Sequence, residues 1–364
     1  MAAQEYHVEK GTSGCVFSPA FECQPADVRG RESTVSKIFK GVDGHRRYTL
    51  ERLAIDRLEL NRIDPSEDYF LYNYFECNVS QLQVELAKSK CPEFRQEGAF
   101  KALNYAKGVA TLYSMAEMAT ETSDYVLIFI RLLNVLRGIN LLHAKKRGHY
   151  DVKELNIVLH NDVYKFIDFG LSRKFKDMVF DQSYAALYRY WPIEMILLTE
   201  QHPTEATLRQ HVQKYRSNPD PKMVLLNAYF DQVFQKIGHP PEDYLTAWLK
   251  TAKHPLESTD VWSFGVMLFT LYTKMPADRV KDTLAQLVMK FLHPVERLTA
   301  KEGLKLYDTF IRDIMSQPAK AVQILGQVDT TWNNLIGTLM LKPRKRPAQQ
   351  QAQRVNQAQR ANPV

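Results

Sequence analysis

One short polar stretch, His149-Tyr150-Asp151-Val152-Lys153-Glu154-Leu155-Asn156, holds an aspartate, a lysine and an asparagine within six residues of one another; a second aspartate follows in Asp168-Phe169-Gly170. These types fit one chemistry. Asp151 can orient a hydroxyl and accept its proton. Lys153 can neutralise phosphate charge. Asn156 and Asp168 offer hard oxygen donors to magnesium. Together they are the groups that phosphoryl transfer from a nucleotide requires. A lone Asp-Phe-Gly recurs by chance, so its context decides its weight.

The flanking elements supply that context. Apolar residues at 128, 132, 135, 139 and 142 lie on one helical face between Asp124 and His143. After the loop, Ile157-Val158-Leu159 and Tyr164-Lys165-Phe166-Ile167 flank the polar turn His160-Asn161-Asp162, which reads as a hairpin. Helix, loop, hairpin and Asp-Phe-Gly follow in the order that this chemistry needs.

Residues 5 to about 105 read as a small sheet with one helix. Gly11-Thr12-Ser13-Gly14-Cys15-Val16 could bring backbone N–H groups close to phosphate oxygens, or could be a simple turn. Val35-Ser36-Lys37-Ile38-Phe39 reads as a strand, with Tyr69 to Phe75 and Phe100 to Tyr105 as further candidates. Lys37 among apolar neighbours is costly to bury without a partner. It either lies on an exposed edge or binds phosphate and pairs with a carboxylate. Tyr48 to Ile63 reads as a helix stopped by Asp64-Pro65 and carries both Glu51 and Glu59. We favour Glu51, because a mid-helix position suits a rigid ion pair; Glu59 stays open. Gly11, Gly14, Val16, Lys37 and Glu51 form the candidate nucleotide-binding set.

From about 109 onward the pattern is helical. Ser258-Thr259-Asp260 offers N-capping residues before the nearly all-apolar run Val261 to Phe269, which belongs in the middle of a lobe. The Gln-, Ala-, Arg- and Asn-rich stretch 348–364 has little to bury.

The 364 residues suit roughly two lobes or domains, and 45% hydrophobic with 24% charged residues is ordinary globular composition. The net charge of +7 is spread along the chain and reads as a solvated surface with a basic tail, so no specific nucleic-acid binding is expected. Cys15, Cys23, Cys77 and Cys91 form no CxxC pair and no metal spacing, so neither zinc nor a disulfide framework is indicated and reduced thiols are expected. The N-terminus has no apolar signal region, and no apolar run is taken as long enough to span a bilayer. A soluble intracellular monomer without membrane contact, cytoplasmic or nuclear, is the expectation.

These motifs together resemble eukaryotic-type protein kinases over most of the chain. Gly11 and Gly14 match the second and third glycines of the Gly-rich loop, with Glu9 where the first would stand. Lys37 matches the strand lysine. Asp151 resembles the catalytic base, Lys153 the phosphate-contacting lysine of Ser/Thr-type loops, and Asn156 and Asp168 the magnesium ligands. Trp191-Pro192-Ile193-Glu194 resembles the end of the activation segment. Asp260-Val261-Trp262-Ser263-Phe264-Gly265 matches the central-helix motif, whose Asp steadies the catalytic loop, and Arg346 resembles the late arginine that pairs with Glu194. The resemblance implies an α+β, bilobal fold: a small antiparallel sheet lobe with one helix over 1–107, and a mainly helical lobe over 108–347. An insertion is expected at about 199–257 and a disordered tail at 348–364. It implies transfer of the ATP γ-phosphate to Ser or Thr hydroxyls of protein substrates, with Mg2+. A hinge for adenine is implied near Asn104 to Gly108, before a helix starting around Val109.

The departures matter too. Tyr150 stands where the family places an arginine that grips a phosphorylated activation loop, a contact Tyr cannot make. Activity independent of that phosphorylation is therefore expected, with Ser183 and Tyr184 dispensable. The insertion could dock substrate or be structural decoration. The insertion, the Cys15-Val16-Phe17-Ser18-Pro19 run, the Val35-Ser36-Lys37 strand and the Ile63-Asp64-Pro65 turn are similar to Ser/Thr kinases of large nucleocytoplasmic DNA viruses, which would put the protein in the host cell. A pseudokinase scaffold and a small-molecule kinase are the competing readings. Lys342 to Pro347 could serve nuclear targeting, though Arg346 is wanted for Glu194.

Overall fold

The computed structural model describes residues within 6–316, except 12–13, 24–25, 28, 41–43, 92–93, 95–99, 179–187, most of 193–253, and 294–295. Glu194, Arg346, Ser183, Tyr184, most of the 199–257 insertion and the tail therefore lie outside the described residues.

The N-terminal part is a five-stranded antiparallel sheet in the order β1-β2-β3-β5-β4, built from β1 (His7–Lys10), β2 (Gly14–Ser18), β3 (Thr34–Phe39), β4 (Tyr74–Val79) and β5 (Phe100–Ala106). Alternating burial drives it: Cys15, Phe17 and Ile38 face a core shared with Phe21, Val84, Ala87 and Phe100. Of the expected strand over Tyr69 to Phe75, only Tyr74 and Phe75 join β4. The residues before them are tied to Asp64, whose carboxylate accepts from the backbone N–H groups of Asp68, Tyr69 and Phe70.

Three helices accompany the sheet where one was expected. Helix α1 (Gly44–Leu58) stops at Glu59, whose φ of 53° breaks the ladder before the one-turn α2 (Leu60–Ile63). Helix α3 (Gln81–Lys90) lies between β4 and β5 and buries Val84 and Ala87.

The cysteines also depart from expectation. Cys15 pairs with Cys91 and Cys23 with Cys77, leaving no free cysteine. The partners are 76 and 54 residues apart, so only the folded sheet brings them together. One bridge ties β2 to the end of α3; the other ties the loop after β2 to β4.

The rest is mainly helical. Helix α4 (Leu112–Met118) starts three residues later than expected, because Thr111 caps it by accepting from the Ser114 N–H. Before it, Gly108 passes so close to Val158 that a Cβ would meet it at 2.8 Å. Helix α5 (Thr122–Ala144) runs 23 residues. Contrary to expectation, it is long and apolar enough to cross a membrane, but 72% of its most apolar window is buried inside the protein, as in a core helix. Strand β6 (Arg147–Gly148) pairs with β9 (Arg173–Lys174), and β7 (Ile157–His160) forms a tight hairpin with β8 (Val163–Phe166). Asn161 and Asp162, at φ 51° and 60°, make the hairpin turn. Helices α6 (Thr259–Lys274), α7 (Arg279–Phe291) and α8 (Ala300–Met315) complete the described part. Helix α6 is buried on nearly every side, as its composition implied.

Candidate active site

One hairpin brings Asn156 and Asp168 to the same end of two paired strands. The register of the β7–β8 hairpin pairs Ile157 with Phe166, so Asn156 precedes one strand and Asp168 follows the other. The Ile167 N–H donates to the Asn156 carbonyl at 3.0 Å, closing that end of the hairpin. Asp168 is held at φ 62°, an uncommon backbone conformation for a residue other than glycine.

Asp151 lies in a dense donor network. Lys153 Nζ donates to its Oδ1 at 3.0 Å and to its Oδ2 at 2.9 Å. Asn156 Nδ2 donates to Oδ2 at 2.6 Å and to the Asp151 carbonyl at 3.0 Å. With its nitrogen fixed in this way, the Asn156 side chain keeps its oxygen as the group able to ligate a cation. Tyr188 donates to Oδ1 at 2.5 Å.

Asp260 steadies the loop from below. It is fully buried at the start of α6, and its carboxylate accepts from the backbone N–H of His149 at 2.7 Å and of Tyr150 at 2.6 Å, with His143 Nε2 at 2.9 Å. Burial alone would raise its pKa, but His143, His149 and these N–H groups outweigh that and hold the carboxyl below its usual range. Ser258, expected to cap α6, makes no capping bond; its hydroxyl donates to the Pro255 carbonyl instead. Tyr150 sits at φ 61° with its ring buried among Met178, Trp191, Met195 and Leu198. Gly148 leaves room for that ring, since a Cβ there would meet it at 2.7 Å.

Lys37 is buried, not at an exposed edge. Its Nζ lies 2.5 Å from Glu51 Oε2 and 3.3 Å from Asp168 Oδ1. Burial works to lower its pKa, but Asp168 and Glu51 outweigh that and keep it charged. Asp168 is likewise held below its usual range: burial opposes ionisation, and Lys37 and Lys153 overcome it. The choice between glutamates is settled by geometry. Glu59 ends α1 on another face, and its carboxylate pairs with Arg147. Glu51 receives Lys37 and also the Tyr105 hydroxyl, at 2.8 Å.

The two glycines separate by cause. A Cβ at Gly14 would meet the Ile38 carbonyl oxygen at 2.0 Å, so β3 packing alone demands glycine there. A Cβ at Gly11 would make only ordinary contact, at 3.5 Å, and the Gly11 N–H donates to the Gly14 carbonyl across the turn. Val16 lies opposite Lys37 in the β2–β3 register, which puts it beside the lysine strand. At the expected hinge, Asn104 is wholly buried and bonded to Ser36, so Asn104 belongs to the sheet interior.

Sequence reasoning missed Tyr188, Tyr190 and Arg297. Tyr190 donates to Glu154, and Trp191 Nε1 donates to the Tyr150 carbonyl at 2.8 Å, so the segment 188–191 is pinned to the catalytic-type loop. Arg297 is buried, with its guanidinium 4.1 Å from the centre of the Trp262 ring. An aromatic-rich run after the loop was the available signal for the tyrosines; a lone Arg before a helix cap gives none.

Asn156 and Asp168 offer the hard oxygen donors that magnesium takes, one or two from protein and the rest from phosphates and water. Among the described residues, no cluster of three His, Cys, Asp or Glu could hold a metal alone. The donor set thus fits a metal shared with a phosphate ligand.

Residues 102–208 match the family model described as protein kinase domain. The chain is 26% identical over 192 residues to a serine/threonine-protein kinase of Yarrowia lipolytica, a match covering 47% of this chain and 26% of that protein. It is 39% identical over 67 residues to the serine/threonine-protein kinase pakE of Dictyostelium discoideum, covering 18% of this chain and 7% of that one. It is 29% identical over 117 residues to mitogen-activated protein kinase kinase kinase 3 of Arabidopsis thaliana, covering 29% and 20% respectively. The matches thus span about a quarter or less of these relatives' lengths. With the five-stranded antiparallel sheet and the helical part, they make the fold α+β and of the bilobal protein-kinase type.

Proposed function

We propose that this protein transfers the γ-phosphoryl group of ATP to Ser or Thr hydroxyls of protein substrates. The observation that carries the reading is Lys37, buried and charged between Glu51 and Asp168. A buried ammonium held by two carboxylates from separate elements is costly to maintain and has no evident structural use. It suits a site where a phosphate chain replaces part of the carboxylate field.

In this reading Lys37 and Lys153 bind phosphate oxygens. Asp151 orients the acceptor hydroxyl and takes its proton. Asn156 and Asp168 would hold magnesium, which neutralises phosphate charge. Asp260 fixes the backbone of His149 and Tyr150, so the base stays in place while substrates exchange. Positioning and electrostatic stabilisation make up most of the work. The preference for Ser and Thr rests on Lys153 and on the names of the relatives.

The apolar packing of Tyr150 supports the expectation that the segment after Asp168 docks without a phosphate. The ring sits against Trp191 and Met178, where the family's arginine would offer charge. The likeness to kinases of large DNA viruses remains part of the proposal. It rests on the sequence runs named above.

The test is magnesium-dependent ATP turnover by the wild-type chain and by Asp168→Ala. Turnover that is lost in the variant, with folding retained, supports the reading. Equal turnover in both removes it.

A further inference from the structure

A cavity of about 660 Å³ lies where β6 and β9 meet the residues just before α6, and neither Asp151 nor Lys37 lines it. Five of its lining residues are cationic: Lys145, Lys146, Arg147, Lys174 and Lys176. Among the described residues that line it, Glu257 alone is acidic, and Phe175 and Leu256 supply apolar surface.

The fold concentrates this charge. In the β6–β9 register Arg147 stands opposite Lys174. Like charges directly opposite on paired strands are unfavourable. Glu59 answers Arg147, yet the buried Arg147 Nε has no hydrogen-bond partner among the described residues. Lys146 sits at φ 57°, and its carbonyl accepts from the Phe175 N–H at 3.0 Å. That turn holds Lys145 and Lys146 beside Phe175 and Lys176. Glu257 takes Lys146, at 3.3 Å. Among the described residues no carboxylate pairs with Lys145, Lys174 or Lys176, and Lys145 and Lys176 are exposed. Such a cluster is relieved by a ligand that brings negative charge.

We propose that this cavity docks an acidic segment of the protein substrate, with its carboxylates on the lysines and one apolar side chain against Phe175 and Leu256. This rests on the phosphotransfer reading above. A peptide fits better than a nucleic acid. A duplex, with its regularly spaced phosphates, takes an extended basic stripe. Here the charge surrounds one local cavity with apolar walls, and Glu257 repels phosphate but can meet a peptide N–H. The cavity adjoins the catalytic-type loop without belonging to it. Phe175 packs edge-on against His143, centroids 5.1 Å apart, and His143 joins Asp260, which holds the His149 and Tyr150 N–H groups. A segment docked there raises the local concentration of its own hydroxyls near Asp151.

The test uses the full chain, wild type and Lys145→Glu/Lys176→Glu. A fluorescent Asp/Glu-rich peptide carrying one Leu is titrated against both, beside its Ser-for-Leu counterpart and a duplex oligonucleotide. Phosphate transfer is then measured to a generic Ser-containing acceptor with and without the acidic peptide fused to it, and light scattering reads the oligomeric state. The expected result is peptide binding weakened by about 10-fold in the variant, the loss of two surface ion pairs. Fusion should lower the KM for the acceptor by about 10-fold in wild type and not in the variant. The KM for ATP, the kcat for the unfused acceptor and the thermal midpoint should be alike in both. Equal peptide affinity in the two chains, equal affinity for the Leu and Ser peptides, or tighter binding of the duplex would overturn the proposal and leave phosphotransfer intact. So would wild-type dimers that dissociate in the variant, since a second copy would then fill the cavity. Peptide binding with no transfer by wild type would overturn the phosphotransfer reading, and with it the assignment of the bound segment to a substrate.

Discussion

Replacing Glu51 by Gln isolates the charge that holds Lys37. Gln is nearly isosteric and keeps an oxygen for the Tyr105 hydroxyl, which now sits 2.8 Å from Glu51 Oε1. What disappears is the negative charge 2.5 Å from Lys37 Nζ. Removing one partner of a buried ion pair commonly costs about 3–5 kcal/mol, because the survivor is left charged and dry. Here the survivor keeps a second carboxylate, Asp168, at 3.3 Å. The loss should therefore be that of a single charge-assisted hydrogen bond, about 1.5–3 kcal/mol. The Lys37 ammonium should shift toward Asp168 and lose its fixed place over the phosphates, lowering kcat/KM for ATP by about 10- to 100-fold. Glu59→Gln is the matched control. That carboxylate is 42% exposed and pairs with Arg147, so its loss should cost under about 1 kcal/mol and leave ATP kinetics alone. Thermal unfolding and steady-state ATP turnover of both variants, run side by side, decide the matter. If Glu51→Gln matched wild type in both assays while Glu59→Gln impaired turnover, the ion-pair reasoning would be refuted.

Three further outcomes are expected. His149 is wholly buried, and burial lowers its pKa from 6.5. The unfolded chain therefore binds the proton more readily, and the stability this group contributes is full above pH 6.5 and lost as pH falls through its lower folded value. His149→Phe should flatten that part of the acid decline in urea unfolding; an unchanged decline would contradict it. Reducing the Cys15–Cys91 and Cys23–Cys77 bridges should lower stability by about 2–4 kcal/mol each, because they close long loops in the unfolded chain. Alkylation of all four cysteines in native, unreduced protein would show that the bridges do not form. Ser183→Ala and Tyr184→Phe should leave turnover unchanged, whereas Trp191→Ala, which empties the cluster around Tyr150, should destabilise by about 3–5 kcal/mol. Loss of turnover in the first two variants would restore a phosphorylation latch.

What the sequence made legible was local. Asp151, Lys153, Asn156 and Asp168 lie on one loop and one hairpin, and the apolar runs on either side of His160-Asn161-Asp162 dictate that hairpin. Lys37 was legible because a lysine inside an apolar strand needs a reason. The rest depends on long-range placement. Cys15 and Cys91 carry no spacing signal, and only the packing of α3 against β2 makes them neighbours. Gly14 looked like a phosphate-loop glycine, yet the Ile38 carbonyl already demands it. Glu51 was favoured over Glu59 only for its mid-helix place; what separates them in the structure is the left-handed turn at Glu59, which sends the second carboxylate to Arg147. Tyr188 was hidden because its partner lies 37 residues upstream and its neighbours read as ordinary aromatic packing.

The central claim is that Asp151 takes the proton of a Ser or Thr hydroxyl as phosphate moves to it. Its most direct measurement is transfer of radiolabel from the γ-position of ATP to a panel of Ser-, Thr- and Tyr-containing proteins, by wild type and by Asp151→Asn. The account requires label on Ser or Thr with wild type and a loss of orders of magnitude in Asp151→Asn, with ATP binding retained. ATP bound by both chains with no label transferred by either would contradict it and leave a nucleotide-binding scaffold.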